Sequence, residues 1–319
     1  MLQASSSLAQ PRKTLSVGAL FAGKVNDQGF MQAGWRGLER ARMDLGIRTQ
    51  FIDSVAPQKE LLSQSLAHLA QSGVDLVIAH GGQNNEACKD IATQYPRVKF
   101  AVTQGAVMGS NLASFEILQE QSAYLAGVLA ALSTRTGVVG HMSGIRVRPG
   151  LKGRAAFAQG VKATNPQIKL LTNFSGNQDD NALSQRVAHA LMDAQADVVF
   201  TMLNAGRQGV IDVCRSRGVR QIGNVSDWVE LDPEVFIGSA IADVSMAVFE
   251  AIKQAHQGEF VAGRIHKVGL QNKEAVRLSM AKDVPIQTQQ TVLQVALALQ
   301  QGAIEISEIY EGPEFANPL

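Results

Sequence analysis

Short apolar runs with the length of buried strands alternate along this chain with segments whose apolar positions recur every three to four residues. The strand-like runs fall at 15–21, 48–54, 74–80 and 98–104, and helical periodicity covers 29–46, 58–72 and 84–95. In the first helix, apolar or small residues stand at Phe30, Ala33, Gly34, Gly37, Leu38, Ala41 and Leu45. Another extended segment spans 111–118. The stretch 122–133 is rich in Ala and Leu throughout, the pattern of a buried helix. A second series then repeats the first, with strands at 137–142, 168–174, 197–203 and 220–225 and helices at 149–164, 181–195 and 206–217. Asp197–Leu203 mirrors Asp75–His80, and both run into a loop of small residues. Beyond the apolar segment 236–242 come a helix at 243–257, short strands at 266–270 and 274–280, and a last helix at 285–301.

Repeated strand–helix units imply a parallel sheet covered on both faces. Two such series imply an α/β protein of two similar doubly wound parallel-sheet lobes, with the boundary near 119–125. The tail is long enough to supply elements to both. Residues 14–120 and about 243–270 are therefore assigned to lobe 1, and 121–242 and about 271–319 to lobe 2, across a multi-crossing hinge. In such sheets ligands bind at the carboxyl ends of strands, which places a cleft between the lobes.

The 319-residue length agrees with two domains, and 45% hydrophobic residues suffice for two cores. The 29 basic residues nearly balance 28 acidic ones, so nothing marks a nucleic-acid surface. No apolar run reaches the ~18 residues of a membrane span. Cys88 and Cys214 lie far apart in helical patterns and read as buried free thiols. The six histidines (68, 80, 141, 189, 256 and 266) are scattered and show no metal-ligand spacing. Gly18 to Lys24 fits G-x-x-x-x-G-K, the start of a phosphate-binding loop. Its four intervening residues are apolar and strand-like, however, and Val25 has no hydroxyl to hold a metal ion. Neither a metal nor a cofactor is expected. Residues 1–13 are polar and small and resemble the tail of a trimmed leader peptide.

The order of short motifs along the chain resembles the basic membrane protein family, also called PnrA-like, the type I solute-binding proteins of ABC transporters. Asp27, Gly29 and Phe30, followed by Trp35, Gly37 and Leu38, resemble its first-lobe signature. Tyr95-Pro96 with Val98 and Phe100, then Asn111, then Tyr124 to Gly127 resemble its middle motifs. Gly137 to Gly140, Phe157 to Gly160, Asn165-Pro166, Gln178 to Asp180, Gly209-Val210, Ile222 to Asp227 and Val268 to Leu270 continue the match almost to the end. The resemblance implies a type I periplasmic binding protein fold and a small-molecule ligand, and several members bind purine nucleosides. It also implies delivery to a membrane permease. This chain departs from the pattern at Met31, Gly81-Gly82, Gln104, Asn224-Val225 and 239–243, where a Lys is absent. Those positions include part of the carboxylate and Lys set that holds ribose in nucleoside-binding members. A free nucleobase or another flat polar heterocycle is therefore a candidate beside a nucleoside.

A purine needs stacking on its faces and fixed donors and acceptors along its edge. Aromatic residues make up only 5% of the chain, so rings near strand ends are informative. Phe30, Trp35 and Trp228 are the candidate stacking groups, and Phe174 reads as core. For the edge, Asp27 accepts from the ligand, caps the following helix, or does both. Asn26 and Gln28 flank it. Gln83 and Asn84 follow Gly81-Gly82, with Asn84 also a potential cap. Asn204 and Arg207 occupy the matching loop of lobe 2. Arg207 either pairs with a ligand carbonyl or carboxylate or is a solvated charge at a helix start. Asn224 and Asp227 flank the last loop, and Asp179 and Asp180 favour capping.

The leading expectation is a non-catalytic receptor in the periplasm or another extracytoplasmic space, free or membrane-anchored. It binds a purine base or nucleoside, acts as a monomer, partners an ABC permease and touches no nucleic acid. No nucleophile–base set sits on a crossover loop, which argues against a nucleoside-processing enzyme. A ligand-sensing domain of a regulator shares this bilobal plan. It would carry a helix-turn-helix before the first strand, where only thirteen residues stand.

Overall fold

The computed structural model describes residues 14–27 and 29–317. The suspected leader remnant at 1–13 and Gln28 lie outside the described residues. Strands β1 (Ser16–Phe21), β2 (Arg48–Ile52), β3 (Leu76–His80), β4 (Lys99–Thr103) and β5 (Leu112–Ile117) alternate with helices α1 (Phe30–Leu45), α2 (Lys59–Gln71) and α3 (Asn85–Gln94). With β11 (Ile265–Val268) they form an all-parallel sheet in the order β11-β5-β4-β3-β1-β2. The lobe-2 sheet has the order β12-β10-β9-β8-β6-β7. It is built from β6 (Val138–Ser143), β7 (Lys169–Phe174), β8 (Val198–Met202), β9 (Arg220–Val225), β10 (Phe236–Ala242) and β12 (Val276–Met280). Only β12 runs antiparallel. The fold is therefore two α/β lobes. Gly18 to Phe21 lie inside β1, so the phosphate-loop match is a strand.

Helix α4 (Gln119–Ser133) follows β5 directly and packs on α5 (Arg148–Thr164) of the second lobe. It begins three residues earlier than its apolar run, because the first turn is polar and carries no hydrophobic period. The α4–α5 crossing is a close backbone approach. A Cβ on Gly127 would lie 2.2 Å from the Phe157 carbonyl oxygen, and one on Gly160 would lie 2.2 Å from that of Tyr124. Helices α6 (Asn181–Asp193) and α7 (Arg207–Arg217) pack together on the outer face of the second sheet, and α9 (Ser245–Gln257) returns to pack on α1. The one-turn helix α8 (Trp228–Leu231) and a 3-10 turn at Gly82–Asn84 carry too few residues for periodicity to reveal them.

The chain passes between the sheets after β5, after β10, and again between β11 and β12. β11 and β12 look like neighbours in sequence, yet each closes a different sheet. Helix α10 (Ile286–Gln300) rests on α4. The stretch 303–317 then crosses the second lobe. There the Phe315 amide bonds to the Thr172 carbonyl at 2.7 Å, and the Glu314 carboxylate meets Arg146 and Arg154. Those guanidiniums, Arg146 first, hold the Glu314 carboxyl down to about 2. Cys88 and Cys214 are buried free thiols, and burial pushes both upward, Cys214 to about 12.

Candidate functional site

The loops that follow the carboxyl ends of β1 and β8, one in each lobe, meet. Gly29, in the β1–α1 loop, touches Asn204, in the β8–α7 loop. A Cβ on Gly29 would lie 3.3 Å from the Asn204 amide group. Among the described residues, three of the four non-glycine positions with left-handed backbone lie at or just past strand ends of these lobes: Ser54, Gln104 and Val225. Val225 (φ 68°) is β-branched, so its conformation is held against an intrinsic cost.

On the lobe-1 side the loop is internally satisfied. The half-buried Asp27 carboxylate accepts from the amides of Gly29 (2.8 Å), Gln32 (3.0 Å) and Met31 (3.1 Å), which pins the start of α1. Asp27 thus has the bonding of a cap for α1. Asn26 is exposed at the loop tip. Phe30 stacks on the imidazole of His80, with ring centroids 4.2 Å apart and planes 23° apart. His80 is fully buried at the end of β3. Its Nε2 lies 2.9 Å from the Phe30 carbonyl, which only accepts, so Nε2 carries the proton. Nδ1 then accepts from the Thr103 hydroxyl at 2.7 Å. Burial drives the His80 pKa down to about 4, against the opposing pull of the Phe30 carbonyl and Asp27, so the ring is neutral at pH 7. Gly34 is required here, because any Cβ would lie 2.6 Å from that ring.

Asn84 is fully buried and donates to the carbonyls of His80 (2.9 Å) and Gly81 (3.0 Å), while its Oδ1 has no partner among the described residues. Gln83 is exposed. Trp35 packs against the central apolar cluster. His80, Thr103 and Gly34 were not singled out from the sequence. The available signal was a polar residue ending the otherwise apolar strand LVIAH.

On the lobe-2 side the sequence-predicted residues gather more tightly. The guanidinium of Arg207 lies at the ends of β8 and β9 and is only 4% exposed. Its carbon sits 4.3 Å from the Trp228 ring. Its Nη2 donates to the Leu203 carbonyl and to Asn224 Oδ1. Nε and Nη1 have no acceptor among the described residues, and no carboxylate there pairs with the charge. Burial alone lowers its pKa to about 9, so it stays charged at pH 7.

Trp228 is held rigidly. Its indole N–H donates to the Asn224 carbonyl (3.0 Å), its amide donates to Ser239 Oγ (2.9 Å), and its ring stacks on Phe236. Asp227 turns the other way, accepting from Ser279 Oγ at 2.7 Å and lying 3.6 Å from Arg277. Asp180 caps α6 through the Leu183 amide, Asp179 accepts from the Ala205 amide, and Phe174 is buried beneath Arg146 and Arg154.

A second charged group bridges the lobes. Lys152 of α5, also 4% exposed, reaches Glu116 of β5 (2.9 Å), Glu120 of α4 (2.8 Å) and Glu308 (3.0 Å), and Arg148 joins Glu116 at 2.8 Å. Burial opposes the Lys152 charge, but Glu120 and Glu116 outweigh it and raise its pKa. Among the described residues no cluster of His, Cys, Asp and Glu is placed to hold a metal ion. No helix there is long and apolar enough to cross a membrane.

Comparison with known proteins accords with this geometry. A Bacillus subtilis protein named transcriptional activator protein med is 23% identical over 79% of this chain and 78% of its own length. A Brucella abortus protein named as purine-binding is 22% identical over 73% of this chain and 66% of its own. A crystal structure of an ABC transporter solute-binding protein from Aeropyrum pernix superposes with a TM-score of 0.79. It covers 93% of this chain and 94% of that one at 22% identity. The family model described as "ABC transporter substrate-binding protein PnrA-like" matches residues 14–311. This family is one of solute-binding proteins rather than enzymes, and the chain belongs to it.

Proposed function

We propose that the protein is the extracytoplasmic receptor of an ABC importer, binding a purine base or nucleoside between its lobes as a monomer and passing it to the membrane permease. The observation that carries this reading is the cluster at the ends of β8 and β9. A rigid indole lies beside a buried guanidinium with free donors, Asn224 accepts from that guanidinium, and Asn204, three residues before Arg207, meets the opposite lobe. Phe30 sits one residue from Gly29, where the opposite lobe makes contact. Flat rings for the faces and polar groups for the edge are what a heterocycle needs. In this reading Phe30 stacks, Trp228, sandwiched between Phe236 and Arg207, walls the site and fixes the guanidinium, and Asn204, Arg207 and Asn224 read the edge. Asp27, Asn84 and Asp227 hold the loops, while Asn26 and Gln83 lie at the rim. The purine-binding name of the Brucella relative supports the ligand class.

The test is calorimetric titration of protein that has been unfolded and refolded to strip carried ligand, using purine bases and their nucleosides. Binding should also stabilise the fold, by about 2.7 kcal/mol at a hundredfold excess over Kd. A base that binds without its nucleoside fits the departures around 224–225 and 239–243. Binding of neither ends the purine reading and leaves the family assignment standing.

A second reading follows from the name of the Bacillus subtilis relative: the chain is the ligand-sensing part of a transcriptional regulator. Cell fractionation of the native gene product separates the two. A receptor appears outside the cytoplasmic membrane, whereas a regulator is retained in the cytoplasm.

A further inference from the structure

We propose that Arg207 is the polar anchor of the ligand, so that the ligand presents it an oxygen-bearing acceptor edge, and that among purines the site prefers oxopurines to adenine. This deepens the purine reading and rests on it for the choice between bases.

A guanidinium has five N–H donors and no acceptor. Arg207 uses its Nη2 hydrogens on Leu203 and Asn224, leaving Nε–H and both Nη1 hydrogens without an acceptor among the described residues. Buried donors are nearly always paired, so leftover ones mark a partner still to come. The charge itself is also uncompensated there. The guanidinium is not a displaced surface side chain, because it is held by a strand-end carbonyl, a side-chain amide and an indole face. It begins α7, directly after the loop whose Asn204 meets the other lobe.

The acceptor requirement follows from this donor set. Hypoxanthine, guanine, xanthine and urate carry a C6 carbonyl. Adenine carries an amine there, which would set donor against donor. The same logic makes arginine select guanine over adenine by its O6 and N7 acceptors. Xanthine adds a second carbonyl and urate a third, and xanthine and uric acid lose a proton readily, which supplies charge as well as acceptors.

The test titrates the stripped full chain with adenine, hypoxanthine, xanthine and urate, and with benzoate as a flat carboxylate that is not a purine. Hypoxanthine and xanthine should bind on the order of 100-fold tighter than adenine, the upper range of what a bidentate arginine pair discriminates between bases. Arg207→Met should abolish that preference, and Arg207→Lys should restore only part of it, because the ammonium lacks the planar donor array. Equal binding of adenine and hypoxanthine, or a preference that survives in Arg207→Met, overturns the inference while leaving the purine reading intact. Binding of benzoate but no purine, lost in Arg207→Met, upholds the anchor and ends the purine reading.

A measurement on the ligand-free protein stands beside these. The melting temperature of Arg207→Met should equal or exceed that of wild type, because a buried unpaired charge is removed. A fall of more than about 5 °C would show that the fold itself requires the cation, and would overturn the inference.

Discussion

Lys152 and Arg207 are both cations of the second lobe, both on helices that follow strands of its sheet, and both 4% exposed. Three carboxylates surround Lys152, whereas none among the described residues faces Arg207. Burial disfavours each charge equally in kind, and what differs is the compensation. Lys152 ties β5 of one lobe to α5 of the other, so its partners are part of the architecture. The partners of Arg207 are neutral, and they orient it without neutralising it. A buried charge with its counter-charges reports on folding, and one without them reports on what the protein binds.

The strongest break of this comparison is Lys152→Met. It leaves Glu116 and Glu120 buried beside each other with no ammonium between them, and of these two Arg148 pairs with Glu116 alone. The expected loss is about 3–5 kcal/mol, read from urea melts at pH 7, opposite in sign to the change in Arg207→Met. Adding Glu120→Gln should recover part of the loss, because the pair couples through one site. If Lys152→Met matches wild type, the contrast between the two cations is void.

The next effect concerns buried bases whose desolvation outweighs the pull of the nearby carboxylates, Asp27 for His80 and Glu314 for His141. His80 and His141 are neutral, with pKa values lowered to about 4 and about 3, chiefly by burial and, for His141, also by the Arg154 charge. Their ordinary value is about 6.5. Between 6.5 and 4 the unfolded chain therefore binds more protons than the folded one, and stability falls as pH drops through that window. His80 alone should contribute a loss of about 3 kcal/mol across it. Urea melts from pH 7.5 to 4 check this. His80→Gln should flatten the slope by about one proton, and an unchanged slope would mean that the imidazole is charged in the folded state.

The periodic elements and the two-lobe plan were legible in the sequence because strand and helix periods are local signals. The compensation of charges was not. Arg207 had two open readings, ligand partner or solvated charge. It is buried because Asn224 and Trp228, seventeen and twenty-one positions later, close over it. Lys152 and Glu116 are separated by 36 positions, and only the sheet order brings them together. Glu116 did carry a usable sign, a charge within the otherwise uncharged strand LASFEI. His80 was read only for metal spacing, although its place at the end of an apolar strand opposite Gly34 marked it as a packing group.

A smaller effect tests a charge compensated by backbone dipoles alone. Asp27 faces three amides at the start of α1. Asp27→Ala should cost about 1–2 kcal/mol, the size of a lost helix cap. Ligand affinity should fall only a few-fold through slackening of the loop that carries Phe30. A collapse of affinity with unchanged stability would move Asp27 from the cap to the ligand.

The weakest effect separates pairing from burial. Asp193 ends α6 and pairs with Arg217 at 2.9 Å, but their side chains are 67% and 39% exposed. An exposed pair contributes about 0.2–1 kcal/mol. An acid in the last turn of a helix opposes the macrodipole by about 0.3–1 kcal/mol. The two terms offset, so Asp193→Asn should shift the urea midpoint by no more than the error of the measurement. A carboxylate partner without burial then changes almost nothing, whereas the same kind of partner around Lys152 is worth several kcal/mol. A loss above about 1 kcal/mol in Asp193→Asn would mean that pairing alone, without burial, sets the difference between the two buried cations.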